Sequence, residues 1–458
     1  MNFLGSRMGA VAAILVLVVV YLVTQVEVRR DPRSVGDVGD VRGLAERDDL
    51  NLVMILVDTL RADRLGAYGY ERDTSPYVDY LAETGVRFAS NRAQSSWTKA
   101  SMASLWTSLS PIRSGVRRAT DAVADEARMP AEVLRDHGFL TAGIWRNGWI
   151  APNFNFQQGF DLYQNPFVRQ APQDVRREAR AGRIDGTDID LVFAALEFMR
   201  VNRDRRFFLY LHLMDVHQYV TTDEFAVFGT TYSDFYDNSI RWTDQQLSAI
   251  VGGLEQAGLR ERTIVVLVSD HGEAFGEHGR EGHARDLFGE VTTTPVVFSL
   301  PFRLDPGVIV DAPTQNVDLW PTLFELLGVP PVEPSDGCSR VPEMLGDPTP
   351  PPCRDVDVAF LDQTWGRIRA EEEPLLAVRD EDLRIVYTPK TPEKSLLFDL
   401  ELDPGERDNR IGDHPEAERM RERAKQEYER AIAWKDAPSV EMDEMSLRQL
   451  RALGYVVE

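Results

Sequence analysis

The sequence is short of several things, and each shortage excludes a class of protein. Two cysteines in 458 residues cannot organise a disulfide-dense scaffold or a cysteine-built metal cluster. Positive charge is scarce: 51 Lys and Arg face 74 Asp and Glu, for a net charge of −23 and a pI near 4.8. That balance excludes nucleic acid as a main partner, because phosphate binding is driven by counterion release from Lys/Arg contacts. It leaves room for an anionic substrate in a locally positive pocket. No internal repeat is visible, and only one long apolar run occurs. With 43% hydrophobic and 27% charged residues, the chain is neither a polytopic membrane protein nor disordered throughout.

The one apolar run, Met8–Val26, carries no charge. As a helix it would be roughly 28 Å long, against a hydrocarbon core of ~30 Å. Arg7 precedes it, and Glu27, Arg29 and Arg30 follow. Residues 1–30 therefore read as an uncleaved signal anchor, a single transmembrane helix, with a cleaved signal peptide as the alternative. Residues 31–49 form a polar linker. Both cysteines, Cys338 and Cys353, fall in the Pro-rich stretch 331–356. A pair in one short loop suits a disulfide and an oxidising compartment; two free thiols are the alternative. Anchor and cysteine pair together place the body outside the cytoplasm, periplasmic or extracellular.

The body reads as α/β. Asn51–Val57 is an apolar, partly β-branched run that ends at Asp58, as a buried parallel strand would. Phe207–Leu213, Thr263–Ser269 and Thr294–Leu300 share that character, and amphipathic stretches such as Asp234–Ala257 separate them. Alternation of this kind predicts a doubly wound, mostly parallel sheet over residues 50–330, with ligands beyond the carboxyl ends of its strands. There lie Asp58, Asp215 and Asp270. Residues 357–458 read as a small α+β subdomain: short strands at Leu375–Val378, Leu383–Tyr387 and Leu396–Phe398, then helices at Pro415–Ala433 and Ser446–Leu453.

Only seven histidines occur, and five of them lie between residues 212 and 283. His217, His271, His278 and His283 sit in acidic or Gly-rich loops, where carboxylate oxygen and imidazole nitrogen can collect around a metal. Asp270-His271 directly after an apolar strand is the strongest of these signals, whereas His212, inside a strand, reads as a hydrogen-bonded core residue. At the other end of the candidate site is Ser95–Leu105. Its Ser/Thr cluster reads first as a helix N-cap, and a helix N-terminus also favours an anion. Thr98 would be capping residue and nucleophile at once if a metal lowered its hydroxyl pKa.

Several motifs, in order, resemble the sulfatases of the alkaline phosphatase superfamily. Val57–Tyr70 (VDTLRADRLGAYGY) is similar to the family's opening motif, and Thr74-Ser75-Pro76 with Leu81–Phe88 continues it. Gly138–Ala142 leading to Asn147, then Gly159-Phe160-Asp161, resembles the next block. The stretch SDHGEAFGEH ending at His278 is the most specific, and Asn316–Leu323 and Leu397–Glu406 resemble the late signatures. The resemblance implies an alkaline phosphatase-like sheet, a smaller C-terminal subdomain and a divalent cation. Carried over by position, Asp58, Asp270, His271 and Thr98 would hold the metal. Thr98 would be the nucleophile, and His217 would protonate the leaving oxygen or hold substrate. His283, Lys99, Arg61 and Asn147 would contact substrate. Such a donor set suits Ca²⁺ first, then Mg²⁺ or Mn²⁺, with Zn²⁺ if His217 and His283 build a second site.

One departure matters. The family reads C-x-P-S-R or S-x-P-S-R and converts the first residue to formylglycine, whereas this chain has Thr98-Lys99-Ala100-Ser101-Met102. No formylglycine is expected. A hydrated aldehyde has a second hydroxyl that can expel sulfate; Thr has one, so water or an acceptor must attack its adduct. The expected activity is metal-dependent hydrolysis of a sulfate or phosphate ester. The alternatives are a phosphodiesterase or phosphoryl-group transferase acting on a lipid or glycan, and a catalytically silent, membrane-anchored binding protein.

Overall fold

The computed structural model describes residues 31–169, 173–178, 185–347, 353, 356–364, 366–367, 370–435 and 437–441. The expected anchor Met8–Val26 and the expected helix Ser446–Leu453 lie outside these residues. Among the described residues, no helix is long and apolar enough to cross a membrane. The chain divides into two units at Arg33. In the short first unit, the described residues hold an ion pair between Arg33 and Asp31. The second unit runs from Ser34 onward.

Its centre is an eight-stranded sheet. In chain order the strands are β1 Asn51–Val57, β2 Val86–Phe88, β3 Leu140–Trp145, β4 Leu162–Gln164, β5 Phe207–Leu213, β6 Thr263–Val268, β7 Val296–Ser299 and β8 Val308–Val310. Their spatial order is β8-β2-β7-β6-β1-β5-β3-β4. All pairings are parallel except those made by β7, which runs against both neighbours. β1, β5 and β6 are buried at every position, as apolar strands covered on both faces must be.

Side chains alternate across the sheet. Leu52, Met54 and Leu56 of β1, with Phe208 and Tyr210 of β5, enter one core; Val53, Ile55 and Val57, with Leu209, Leu211 and Leu213, enter the other. Helices α1 Pro76–Glu83, α3 Asp188–Val201 and α4 Tyr232–Gln256 pack in the second core. Helix α2 Thr98–Thr107 lies in the first, together with α5 Leu319–Leu326. α2 is buried at every position, so the helix that carries Thr98 is a core element.

A four-stranded antiparallel sheet follows, built from β9 Val356–Asp362, β10 Pro374–Asp380, β11 Leu383–Tyr387 and β12 Leu396–Asp399. Val356, Val358 and Phe360 pack with Met420 and Ala424 of α6 Ala417–Tyr428, whereas Ala359 and Leu361 join the first core. One face of this small sheet is thus part of the body's own interior. Cys338 and Cys353 are joined in a disulfide.

Candidate active site

The carboxyl ends of the central strands converge on α2. Asp58 directly follows β1, Asn147 lies just after β3, His217 is in the loop after β5, and Asp270-His271 follow β6. Thr98, Asp58, Asp270 and His271 are all fully buried. Thr98 Oγ1 lies 3.1 Å from His271 Nε2 and 3.4 Å from Asn147 Nδ2. His271 Nδ1 donates to the Gly272 carbonyl at 3.0 Å, which leaves the Nε2 lone pair facing Thr98 and the carboxylates.

Each aspartate has one oxygen engaged and one open. Asp58 Oδ2 accepts from Asn147 Nδ2 at 2.7 Å and from His212 Nε2 at 3.0 Å. Asp270 Oδ1 accepts from the backbone N–H groups of Thr59 at 3.2 Å and His271 at 3.0 Å. Asp58 Oδ1 and Asp270 Oδ2 are buried with no hydrogen-bond partner. One ligand atom from each of Asp58, Asp270 and His271 falls within 4.8 Å of the others. Burial opposes ionisation of Asp58, but the His212 hydrogen bond and the surrounding imidazoles outweigh it and hold its carboxyl below the usual range. Burial and the Asp58 charge push Asp270 upward. Two buried carboxylate oxygens aimed at one point, without a donor, are costly unless a cation sits between them. The residues present fit a divalent ion. Among the described residues the other grouping of ligand types, Asp318 with Cys338 and Cys353, is tied up in the disulfide.

Three imidazoles line the neighbouring wall. His271 and His283 have ring centroids 4.7 Å apart, and His283 and His217 are 5.1 Å apart. Burial opposes the charge on His283, but the Glu273 carboxylate at 3.2 Å from its Nδ1 outweighs burial and raises its pKa. For His217 burial is the largest influence and takes its pKa down to about 4. The loop that carries His283 is fastened to the segment before Thr98: Ala284 N donates to Ser96 O at 2.9 Å, and Ser96 Oγ donates to Asp286 O at 2.6 Å.

Two expected substrate contacts are engaged elsewhere. Lys99 is fully buried; its Nζ donates to the Ala119 carbonyl at 2.7 Å and sits 3.5 Å above the Phe154 ring. Burial drives its pKa well below the ordinary value. Arg61 is spent on Asp63, Glu277 and the Glu273 carbonyl. Successive helix residues point in different directions, and sequence adjacency to Thr98 could not show that Lys99 turns into the core. The capping expectation also changes. Trp97 is the N-cap, no side chain caps the helix, and Thr98 is its first residue, so the hydroxyl is left for chemistry.

Other residues build the site, and of them Asp215 stands out in the sequence by its place at a strand end. Arg146, beside Asn147, donates from Nη1 to Asp188 at 2.6 Å and Asp215 at 2.8 Å, and Trp242 Nε1 donates to Asp215 at 2.9 Å. Asp188 also accepts from Met214 N and Asp215 N. This buried hub joins the loops that carry Asn147 and His217. Thr59 has φ 63°, a strained conformation for a β-branched residue. It aims its N–H at Asp270, and Tyr236 fixes its carbonyl at 2.7 Å. Glu273, inside the SDHGE motif, and Asp215, after the run Phe207–Leu213, carry a local signal; Arg146, Asp188, Trp242 and Tyr236 do not.

The sulfatase family model matches residues 50–329. The chain belongs to the sulfatase family. Human arylsulfatase A is 26% identical, over 81% of this chain and 85% of that protein. The multifunctional alkaline phosphatase superfamily protein PehA of Trinickia caryophylli is 23% identical over 88% of this chain and 76% of its own. The N-acetylgalactosamine-6-sulfatase of Canis lupus familiaris is 26% identical, and the chain spans 66% of its length. Among solved structures, the phosphonate monoester hydrolase of Agrobacterium radiobacter has a TM-score of 0.66 at 21% identity, covering 82% of this chain and 94% of that one. These fold likenesses and the family match make the protein a sulfatase-type hydrolase of the alkaline phosphatase superfamily.

Proposed function

We propose that this sulfatase is a metal-dependent hydrolase of a sulfate or phosphate ester, with Thr98 as nucleophile. One observation carries the reading: Asp58 Oδ1, Asp270 Oδ2 and His271 Nε2 gather in a buried site, and Thr98 Oγ1 lies 3.1 Å from that imidazole. A divalent cation held by these four residues would lower the Thr98 hydroxyl pKa and orient an ester oxygen.

The remaining roles belong to the chain's own groups. Thr98 attacks the sulfur or phosphorus in line with the leaving oxygen. The uncapped N-terminus of α2 offsets charge on the non-bridging oxygens. His283, held by Glu273, keeps a proton and gives it to the leaving oxygen, while His217 hydrogen-bonds the ester. Of the two parts that the resemblance implies for His217, this reading keeps the one that holds substrate and gives the acid's part to His283. Water, giving a proton to the His283 that the first step left neutral, then attacks the sulfur or phosphorus of the adduct and breaks its bond to Thr98 Oγ1, because Thr has no second hydroxyl with which to expel it. Met8–Val26 and the Cys338–Cys353 disulfide support a membrane-anchored enzyme whose body lies outside the cytoplasm.

A second reading is phosphodiester or phosphonate monoester hydrolysis. It is favoured by the single hydroxyl at Thr98 and by the phosphonate monoester hydrolase among the fold neighbours. Paired aryl sulfate, phosphate monoester and phosphodiester substrates, assayed with the wild type, Thr98→Ala and chelator-stripped enzyme, test both readings. Loss of about 10³-fold or more in kcat for Thr98→Ala, and a sulfo or phospho adduct on Thr98, are expected. Full activity of Thr98→Ala on every ester that the wild type cleaves overturns the nucleophile.

A further inference from the structure

We propose that Tyr210 and His212, together with Asn147, clamp one oxygen of Asp58 so that only the other is offered to a divalent cation. Tyr210 and His212 are then positioning residues for the metal, a part that His212's place inside an apolar strand conceals. The proposal rests on the metal-dependent reading above.

Asp58 Oδ2 accepts two hydrogen bonds, from His212 Nε2 at 3.0 Å and Asn147 Nδ2 at 2.7 Å, while Oδ1 is buried and has no partner. An ionised carboxylate only accepts, so His212 donates through Nε2. Its Nδ1 then accepts the Tyr210 hydroxyl, 2.7 Å away. The donors run one way, from Tyr210 through His212 to Asp58. Tyr210, His212 and Asp58 are all fully buried, so a broken link has no water to replace it.

Strand pairing sets the geometry. Tyr210 and His212 are two residues apart on β5 and share one face, and His212 pairs with Leu56 of β1, two residues before Asp58. Trp106 meets the Tyr210 ring edge-on at 4.9 Å between centroids. That tryptophan belongs to α2, whose first residue is Thr98, so the helix that presents the nucleophile also braces the clamp. Asp270 is held to the same pattern by backbone alone, with Oδ1 taken by the N–H groups of Thr59 and His271 and Oδ2 open. Each aspartate therefore offers one oxygen, and bidentate binding by Asp58 would break two hydrogen bonds. Ions that complete their shell with few, well-placed ligands, such as Mn²⁺, fit this arrangement better than Ca²⁺, which collects six to eight oxygens and often takes carboxylates bidentately.

Calorimetric titration of the chelator-stripped full chain in detergent with Mn²⁺ and with Ca²⁺ tests the clamp. Outer-shell partners of this kind are worth about 10–100-fold in metal affinity. His212→Leu is expected to lose Mn²⁺ affinity in that range and to narrow the preference for Mn²⁺ over Ca²⁺. His212→Gln, which can still donate, is expected to recover part of the loss. Tyr210→Phe keeps the ring against Trp106 and removes only the hydroxyl; its smaller loss decides the matter if His212→Leu does not fold, as melting of the stripped proteins shows. Wild-type affinity in every folded variant overturns the clamp and leaves the metal reading standing. A wild type that binds neither ion overturns both.

Discussion

Replacing Arg146 with Ala tests whether the hub beneath the site sustains both stability and catalysis. The Arg146 side chain is 3% exposed, and the Asp188 and Asp215 side chains that it bridges are 0% exposed. Removing one member of a buried ionic group costs about 3–5 kcal/mol, because the remaining charge is left without a counterion. At roughly 2 °C per kcal/mol for a large domain, melting should fall by about 6–10 °C. Burial and the Asp215 charge already raise the Asp188 pKa to about 6, so the hub is short of positive charge even with Arg146 present. A folded-state pKa raised above the unfolded value means that the associated stability is present at low pH and lost as pH rises toward 6. The Arg146→Ala deficit should therefore be smaller at about pH 5 than at about pH 8. Activity should fall as well, because Asn147 and His217 hang from the joined loops. A displacement near 1 Å in such groups can cost about 10²-fold in rate. Scanning calorimetry at the two pH values, with kcat and KM on an aryl ester, gives the readout. An Arg146→Ala protein that melts like the wild type at both pH values, with unchanged kcat, refutes the reasoning.

Three further outcomes are expected. Lys99→Met should keep kcat/KM within a few-fold, since the buried amine is engaged with Ala119 and Phe154; a loss of about 10²-fold or more would return Lys99 to the substrate, as a lost charged contact in a site does. Asp244 caps α1 by accepting from Tyr77 N and Val78 N, and burial raises its pKa to about 7. Folding stability should thus decline between about pH 4 and pH 7, by up to roughly 4 kcal/mol for a rise near three units, and Asp244→Asn should flatten that slope in urea titrations. Raising salt should change kcat/KM only weakly in stopped-flow or steady-state assays; a steep decline would show long-range attraction of substrate that a charge of −23 should not provide.

The parts of this architecture that were legible in the sequence are those written in local pattern. An apolar run that ends in a carboxylate places Asp58 and Asp270 at strand ends, and β1, β5 and β6 occupy residues that such runs mark. The helix of Asp234–Ala257 appears as Tyr232–Gln256, because its apolar spacing and the Thr231 capping box are both local. Direction of a side chain is not local. Lys99 and Thr98 are neighbours in sequence, yet one amine turns to Ala119 and the other hydroxyl faces His271. Long-range partners were equally hidden. The Arg146–Asp188 and Arg146–Asp215 pairs join strand ends to a helix start across 42 and 69 residues, and nothing in the intervening chain encodes them. His212 illustrates the limit best: an imidazole inside an apolar strand looks like core until Asp58 is seen 3.0 Å away.

The engagement of Lys99 and Arg61 also changes what the acidic composition means. With both side chains turned away, attraction for an anionic ester would fall to an ion held by the metal ligands, to His283 and to the start of α2. These are short-range sources set in a shell whose net charge repels anions. Beyond a Debye length of about 8–10 Å, solvent screens them, so discrimination happens inside the pocket. One divalent ion held by two carboxylates would leave little surplus charge there, so kcat/KM for a sulfate monoester or a phosphodiester is expected to exceed that for a phosphate monoester with the same leaving group. A doubly charged phosphate monoester would bring more charge than these groups offset. Lys99 and Arg61, which the resemblance would have placed on the substrate, are held instead by Ala119, Asp63, Glu277 and Glu273, so their loss should not alter the preference between these esters.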